Sequence, residues 1–178
     1  LPEHEKNHQV VLETERLVLR HFEDADAPFV LRLLNEPAFL RFIGDRGVRT
    51  VDDAQAYIAR GPQDSYRRLG FGIFLVELKP ADHPIGMCGV MQKPWLASPD
   101  IAYAFVPEAG GKGYGIEAAR AVLDFARTEL KLGRLLAVVT PDNAPSIRLL
   151  EKLGFCPDGT VIDPADGAEL ELFVFRAD

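Results

Sequence analysis

Cysteine is scarce in this chain of 178 residues, which has only Cys88 and Cys156. Neither sits in a metal-ligand or redox spacing, which argues against a disulfide framework and a cysteine-built metal site. Both are expected as buried, reduced thiols in strands. Positive charge is also in deficit: 20 Lys and Arg stand against 27 Asp and Glu, a formal net charge of −7. That balance disfavours non-specific nucleic-acid binding. It suits a cationic amine, although many acidic proteins are simply well solvated. No apolar run approaches bilayer-spanning length, and the N-terminal stretch lacks a basic-then-apolar leader pattern. A cytoplasmic location with no membrane partner is therefore expected. Repeats and low-complexity segments are missing too. What remains is ordinary for one globular domain: 47% hydrophobic and 26% charged residues, enough to bury a core without staples.

The chain is organised around 100–130. Ile101 to Val106 is an apolar run long enough for one strand, and Pro107 stops it because proline has no N–H for a ladder. Gly110-Gly111-Lys112-Gly113-Tyr114-Gly115 follows, then a helix from Ile116 to about Leu130 on which Ile116, Ala119, Leu123, Ala126 and Leu130 recur at helical spacing. A strand, a glycine turn and a helix N-terminus make an anion site, because free N–H groups and the helix dipole both favour negative charge. Gly113 to Ala118 also satisfies the dinucleotide pattern G-x-G-x-x-G/A, but the preceding segments read as meander strands, not β-α-β repeats. A Walker loop fails because Lys112 is followed by glycine.

Downstream come Leu135 to Val139, then Asn143-Ala144-Pro145-Ser146, then Glu151-Lys152-Leu153-Gly154-Phe155. This succession resembles the GNAT superfamily of acyl-CoA-dependent N-acyltransferases. It is most similar to the RimJ/RimL branch, which acetylates ribosomal-protein N-termini. The branch motifs are a Thr-x-Arg-Leu-x-Leu-Arg strand (Thr14 to Arg20), an acidic-Ile-Gly-Tyr strand (Asp100 to Tyr103, with alanine at 102) and a Gly-x-Gly-Tyr-x-x-Glu-Ala loop (Gly111 to Ala118). The likeness spans roughly 10–176. It implies an α/β fold with a mixed, mostly antiparallel seven-stranded sheet flanked by helices, splayed into a V between the fourth and fifth strands.

In chain order, residues 1–9 are polar and expected to fray, and 10–178 form the domain. Val10 to Arg20 reads as the first strand. Asp24 reads as the N-cap of a helix to about Asn35, a further helical turn spans Ala38 to Ile43, and Thr50 caps a helix to about Tyr66. Strands are expected over Phe71–Leu78, Pro84–Lys93, Asp100–Val106 and Leu135–Thr140, with Lys79-Pro80-Ala81-Asp82 as a turn. A helix over Asn143–Leu153 leads into a hairpin of Phe155–Ile162 and Glu169–Phe175. Its acidic tip, Asp163 to Gly167, consists of common turn residues, so no metal is assigned.

The resemblance also implies the chemistry. Acetyl-CoA is the cosubstrate, and its pyrophosphate meets backbone amides of Gly111, Lys112, Gly113, Tyr114, Gly115 and Ile116, with Lys112 and Arg120 adding charge. Pantetheine pairs with the backbone of Phe105 and Val106, and an N–H near Tyr103 or Ala104 serves the oxyanion. Asn143 either touches pantetheine or caps its helix. Many relatives place a tyrosine acid where this chain has Leu150, so Ser146 is the substitute acid. Asp100 is the base, acting through water, with Glu77 and Asp82 as lesser candidates. Glu117 serves the helix N-terminus rather than the chemistry. Gly110 stands where the branch has tryptophan. Phe39, Phe42 and Tyr57 line the acceptor pocket or the core, and Tyr103 also faces substrate. The acceptor is a protein N-terminus or a small-molecule amine, attacked directly in a ternary complex. A homodimer is allowed. A non-catalytic acyl-CoA sensor is the alternative.

Overall fold

The structure is a computed structural model describing residues 8–80 and 83–177. Residues 1–7, the centre of the expected turn at Ala81 and Asp82, and Asp82 as a candidate base therefore lie outside the described residues. His8 and Gln9 are tied in, since the carbonyls of His8 and Gln9 accept from Val10 and His21 N–H.

The expected first strand is a hairpin, β1 (Val10–Glu13) and β2 (Leu17–Arg20). Thr14 makes the break: its N–H donates to the Leu17 carbonyl at 2.9 Å, and its hydroxyl accepts from Leu17 N–H at 3.0 Å. A side chain that can bond its own turn competes with a continuous ladder. Among the described residues the sheet thus has eight strands rather than seven, in the order β1-β2-β3-β4-β5-β6-β8-β7. The others are β3 (Ile73–Leu78), β4 (His83–Met91), β5 (Asp100–Phe105), β6 (Arg134–Val139), β7 (Cys156–Ile162) and β8 (Glu169–Arg176). All pairs are antiparallel except β5 with β6. A parallel pair needs a long crossover, and the α5 helix (Tyr114–Thr128) supplies it, packing across β4 and β5.

Between β2 and β3 run four helices: α1 (Ala27–Leu34), α2 (Pro37–Phe42), α3 (Val51–Ile58) and α4 (Asp64–Leu69). Asp24 is not the cap of α1. A short 3-10 turn, Asp24–Asp26, precedes it, and Glu23 N–H donates to Asp26 Oδ2 at 2.8 Å. Thr50 caps α3 as expected, exchanging hydrogen bonds with Asp53 at 3.1 and 3.0 Å. The helix ends at Leu69, within a turn of the expected end near Tyr66, but it is not regular throughout. Pro62 has no N–H to continue the ladder, so the helix widens into a π turn over Ala59–Gln63 and resumes as α4.

The main core joins β2, β3 and β4 to α1, α3 and α5 through Leu19, Leu33, Ile58, Leu75, Val90 and Val122. A second cluster seats Leu96 of the β4–β5 loop on Leu136 and Val174. Inside the sheet's helical cover sits a charged group: Arg20, Asp26 and Glu77 are 4%, 8% and 3% exposed. Arg20 donates to Asp26 at 2.9 and 2.8 Å and to Glu77 at 3.1 and 2.8 Å. Burial alone would lower the Arg20 guanidinium, but those bonds outweigh it and hold it above its ordinary value. Glu77 is consequently spent on structure and is removed as a base. The cysteine expectation holds for buried Cys88 only; Cys156 is exposed on the edge strand β7.

Candidate active site

The β5–β6 pair meets at one register position, Asp100 opposite Leu136, where Leu136 N–H donates to the Pro99 carbonyl at 2.9 Å. Beyond that point the strands part, as the V requires. The backbone facing the gap follows from alternation. Val106 N–H donates to Ile85 O on β4 at 2.9 Å, and antiparallel pairing turns every second residue to the same neighbour. Ala104 and Ala102 therefore bond β4, while the N–H and C=O of Tyr103 and Phe105 face the gap. This corrects one expected contact: Val106 is no pantetheine partner, because its carbonyl is also taken, by Ala109 N–H at 3.0 Å. Of the two expected oxyanion donors, Tyr103 and Ala104, Tyr103 is the one whose N–H faces the gap.

At the mouth of the gap a 3-10 turn, Pro107–Ala109, leads into the glycine loop. Gly111 and Gly113 have φ of +73° and +79°, a left-handed conformation that a side chain resists. The first helical bond of α5 runs from Glu117 N–H to Gly113 O at 3.1 Å. The N–H groups of Tyr114, Gly115 and Ile116 thus have no intrahelical acceptor. Lys112 turns its ammonium back to the Glu108 carbonyl at 3.1 Å, while exposed Arg120 lines a cleft of about 530 Å³ beside Arg16 and Gly113. Gly110 takes an extended conformation, with its N–H bonded to Pro107 O at 3.0 Å.

Across the gap, α6 (Ala144–Lys152) begins at Asn143. Asn143 Oδ1 accepts from Ser146 N–H at 3.4 Å, so the capping role is filled, and Nδ2 has no partner among the described residues. Ser146 Oγ and Tyr103 Oη lie 2.7 Å apart, which brings two expected site residues into one hydrogen bond. Burial pushes the Tyr103 phenol up to about 12, with the Ser146 bond pulling the other way. Leu150, where a tyrosine acid would stand, is 1% exposed and belongs to the core.

Asp100 opens β5 at the vertex of the V, 1% exposed, with Lys93 Nζ on its Oδ2. Its Oδ1 is buried and has no hydrogen-bond partner among the described residues. Burial raises the Asp100 carboxyl above the ordinary range, with Lys93 pulling it down less strongly. Sequence reasoning missed Lys93; a lysine seven residues before the acid, across one loop, was the available signal.

Of the expected acceptor residues, Phe39 is core at 3% exposure. Phe42 is half-buried under the Arg41 guanidinium, 4.7 Å from its ring centroid. Tyr57 lines a separate cleft of about 410 Å³ with Arg46 and Arg60. The helical pair that carries Phe39 and Phe42 touches both lips of the V: Arg32 pairs with Glu108 at 2.6 Å, and Arg41 with Asp142 at 2.9 Å. At the hairpin tip, Asp163 and Asp166 each accept from a backbone N–H of their own turn at 2.9 Å.

A strand splayed from its parallel neighbour, with a glycine loop and a helix N-terminus at the mouth, defines the acyl-CoA-dependent N-acetyltransferase class. Residues 16–156 match the family model of the acetyltransferase (GNAT) domain, and the chain belongs to that family. It is 31% identical over 146 residues to the uncharacterized N-acetyltransferase YnaD of Bacillus subtilis (strain 168), covering 82% of each chain. An acetyltransferase from Agrobacterium tumefaciens str. C58 superposes with a TM-score of 0.79 at 25% identity, covering 93% of this chain and 94% of that one. RimL, a ribosomal L7/L12 alpha-N-protein acetyltransferase in complex with coenzyme A, gives a TM-score of 0.80 over 96% and 99% of the two chains. Its identity is 15%, so the likeness is one of fold.

Proposed function

We propose that this acetyltransferase moves the acetyl group of acetyl-CoA to a primary amine by direct attack in a ternary complex. The observation that carries the reading is the β5–β6 gap, flanked by unpaired backbone groups and opening onto the glycine loop. Pyrophosphate binds the N–H groups from Gly111 to Ile116. Pantetheine runs along the Phe105 backbone as an added strand, with Asn143 Nδ2 on its amides, and Tyr103 N–H donates to the oxyanion. Asp100 takes the ammonium proton through a water at Oδ1, so the amine attacks neutral. As the carbon–sulfur bond breaks, the thiolate takes a proton from Ser146 Oγ, which Tyr103 resupplies; the second proton lost by the attacking nitrogen restores Tyr103, and the proton held by Asp100 passes to solvent. No acyl-enzyme forms, since Cys88 is buried with its thiol pushed up by burial, and exposed Cys156 lies on the edge strand β7, separated from the β5–β6 gap by β8.

The acceptor is a protein N-terminus, the substrate type in RimL's own name, or a small-molecule amine. Phe42 and Tyr57 are its proposed contacts. The reading includes a cytoplasmic setting, neither a nucleic-acid nor a membrane partner, and room for a homodimer. Among the described residues no helix is long and apolar enough to cross a membrane.

Thermal melting with acetyl-CoA, CoA, NAD and ATP in parallel tests the cosubstrate. A rise with both CoA species alone supports the gap as their site, because a ligand of the native state raises the melting point by mass action. A rise with NAD or ATP but neither CoA species overturns it. Thiol release in an amine panel then separates an enzyme from a sensor. With an active amine in hand, Ser146→Ala is expected to lower kcat by about tenfold to a hundredfold, a modest loss because a thiolate leaves readily. Tyr103→Phe is expected to reproduce part of it, and an unchanged kcat in both variants rules out the relay.

A further inference from the structure

The motif from Thr14 to Arg20 has no part in the chemistry above, yet the turn that carries it grips the glycine loop. Thr14 Oγ1 donates to Glu117 Oε1 at 2.6 Å, and Arg16 N–H donates to the same oxygen at 3.0 Å. Arg16 Nε donates to Glu117 Oε2 at 2.7 Å. Arg16 Nη1 donates to the Lys112 carbonyl at 2.9 Å, and the guanidinium lies 4.5 Å from the centroid of the Tyr114 ring. Arg16 Nη2 reaches so close to Gly113 that a Cβ there would stand 3.3 Å from it. The turn is braced from behind, because Lys79 N–H donates to Arg16 O at 2.8 Å and Lys79 Nζ to Thr14 O at 2.6 Å.

The arrangement answers an electrostatic difficulty. Glu117 stands in the first turn of α5, beside the N–H groups that are to receive a pyrophosphate. Burial raises its carboxyl, but the hydrogen bonds from Thr14 and Arg16 outweigh that and hold it below the ordinary range, so it is ionised at neutral pH. An ionised carboxylate on the same helix turn repels the incoming anion and competes for the dipole. Arg16 supplies the balancing charge and occupies both carboxylate oxygens.

We propose that Arg16 is a positioning residue for the cosubstrate: it neutralises Glu117 and pins the Lys112 carbonyl, leaving the loop's N–H groups to the pyrophosphate. This rests on the pyrophosphate placement proposed above. The test is equilibrium binding of CoA and of pantetheine, which lacks the pyrophosphate, to wild type, Arg16→Gln, Glu117→Gln and the double variant. Arg16→Gln is expected to weaken CoA about tenfold, the size of one close charge–dipole imbalance, and to leave pantetheine unchanged. The double variant is expected to recover most of that loss, because the stranded charge is gone. A purely structural role predicts equal weakening of both ligands and no recovery, and either result overturns the proposal. Should Arg16→Gln fail to fold, Arg16→Lys keeps the charge without the fork. It is expected to retain the preference for CoA over pantetheine, and loss of that preference also overturns the neutralising role. A wild type that does not prefer CoA to pantetheine removes the pyrophosphate placement itself, and the proposal with it.

Discussion

Replacing Asp100 by asparagine is expected to lower kcat by a factor of about 10² to 10⁴, the range of a lost general base, while the melting shift produced by acetyl-CoA stays. The two readouts separate because the proposed pyrophosphate contacts lie at the mouth of the gap and Asp100 lies at its vertex. The pH profile gives a second, independent sign. A base works only when ionised, so kcat/KM falls on the acid side as Asp100 gains a proton. Burial pushes that carboxyl up and Lys93 opposes it, so the fall lies above the range of an exposed aspartate. Lys93→Met removes the opposing charge and is expected to move the acid limb further toward neutral, with kcat on the plateau little changed. A kcat within about tenfold of wild type in Asp100→Asn, below the general acid–base range, eliminates Asp100 as the base. An acid limb that ignores Lys93→Met means that some other group titrates.

How much of this was legible beforehand depended on whether the information was local. The glycine loop and its helix, the Thr50 cap and the Asn143-to-Ser146 helix start all announce themselves within a few residues, because backbone conformation and capping are set by near neighbours. The two-strand character of 10–20 was hidden because Thr14 builds a turn from its own hydroxyl without glycine or proline. The helix from Thr50 was read as one regular run to about Tyr66, but the missing N–H of Pro62 opens a π turn within it. Val106 fell out of the site on one hydrogen bond to Ile85, a matter of strand alternation that no residue type reveals. The contacts that join distant pieces were the least visible. Arg16 and Glu117 are 101 residues apart, and Arg20 and Glu77 are 57 apart. Arg16, Arg20 and Glu117 sit in readable motifs and Glu77 in a readable strand, but their meetings were not legible.

Arg20 shows what such a hidden meeting is worth. Arg20→Met is expected to lower the unfolding free energy by about 3–5 kcal/mol, as for other broken buried ion pairs, measured by urea denaturation at neutral pH. The side chain is similar in length and apolar, so the loss is not chiefly one of packing. It comes from Asp26 and Glu77, which stay 8% and 3% exposed in the native structure but lose the guanidinium that serves both. Among the described residues Asp26 then keeps only the Glu23 N–H at 2.8 Å. Removing the charges together should return much of the stability, since an ion cluster replaced by residues of similar volume is often neutral or favourable. Arg20→Met combined with Asp26→Asn and Glu77→Gln is therefore expected to unfold at higher urea than Arg20→Met alone. If the single variant lost no more than about 1 kcal/mol, the typical effect of an arbitrary substitution, the carboxylates would have to find other partners or water. If the triple variant were no better than the single one, the penalty would lie in packing against the sheet and not in unpaired charge.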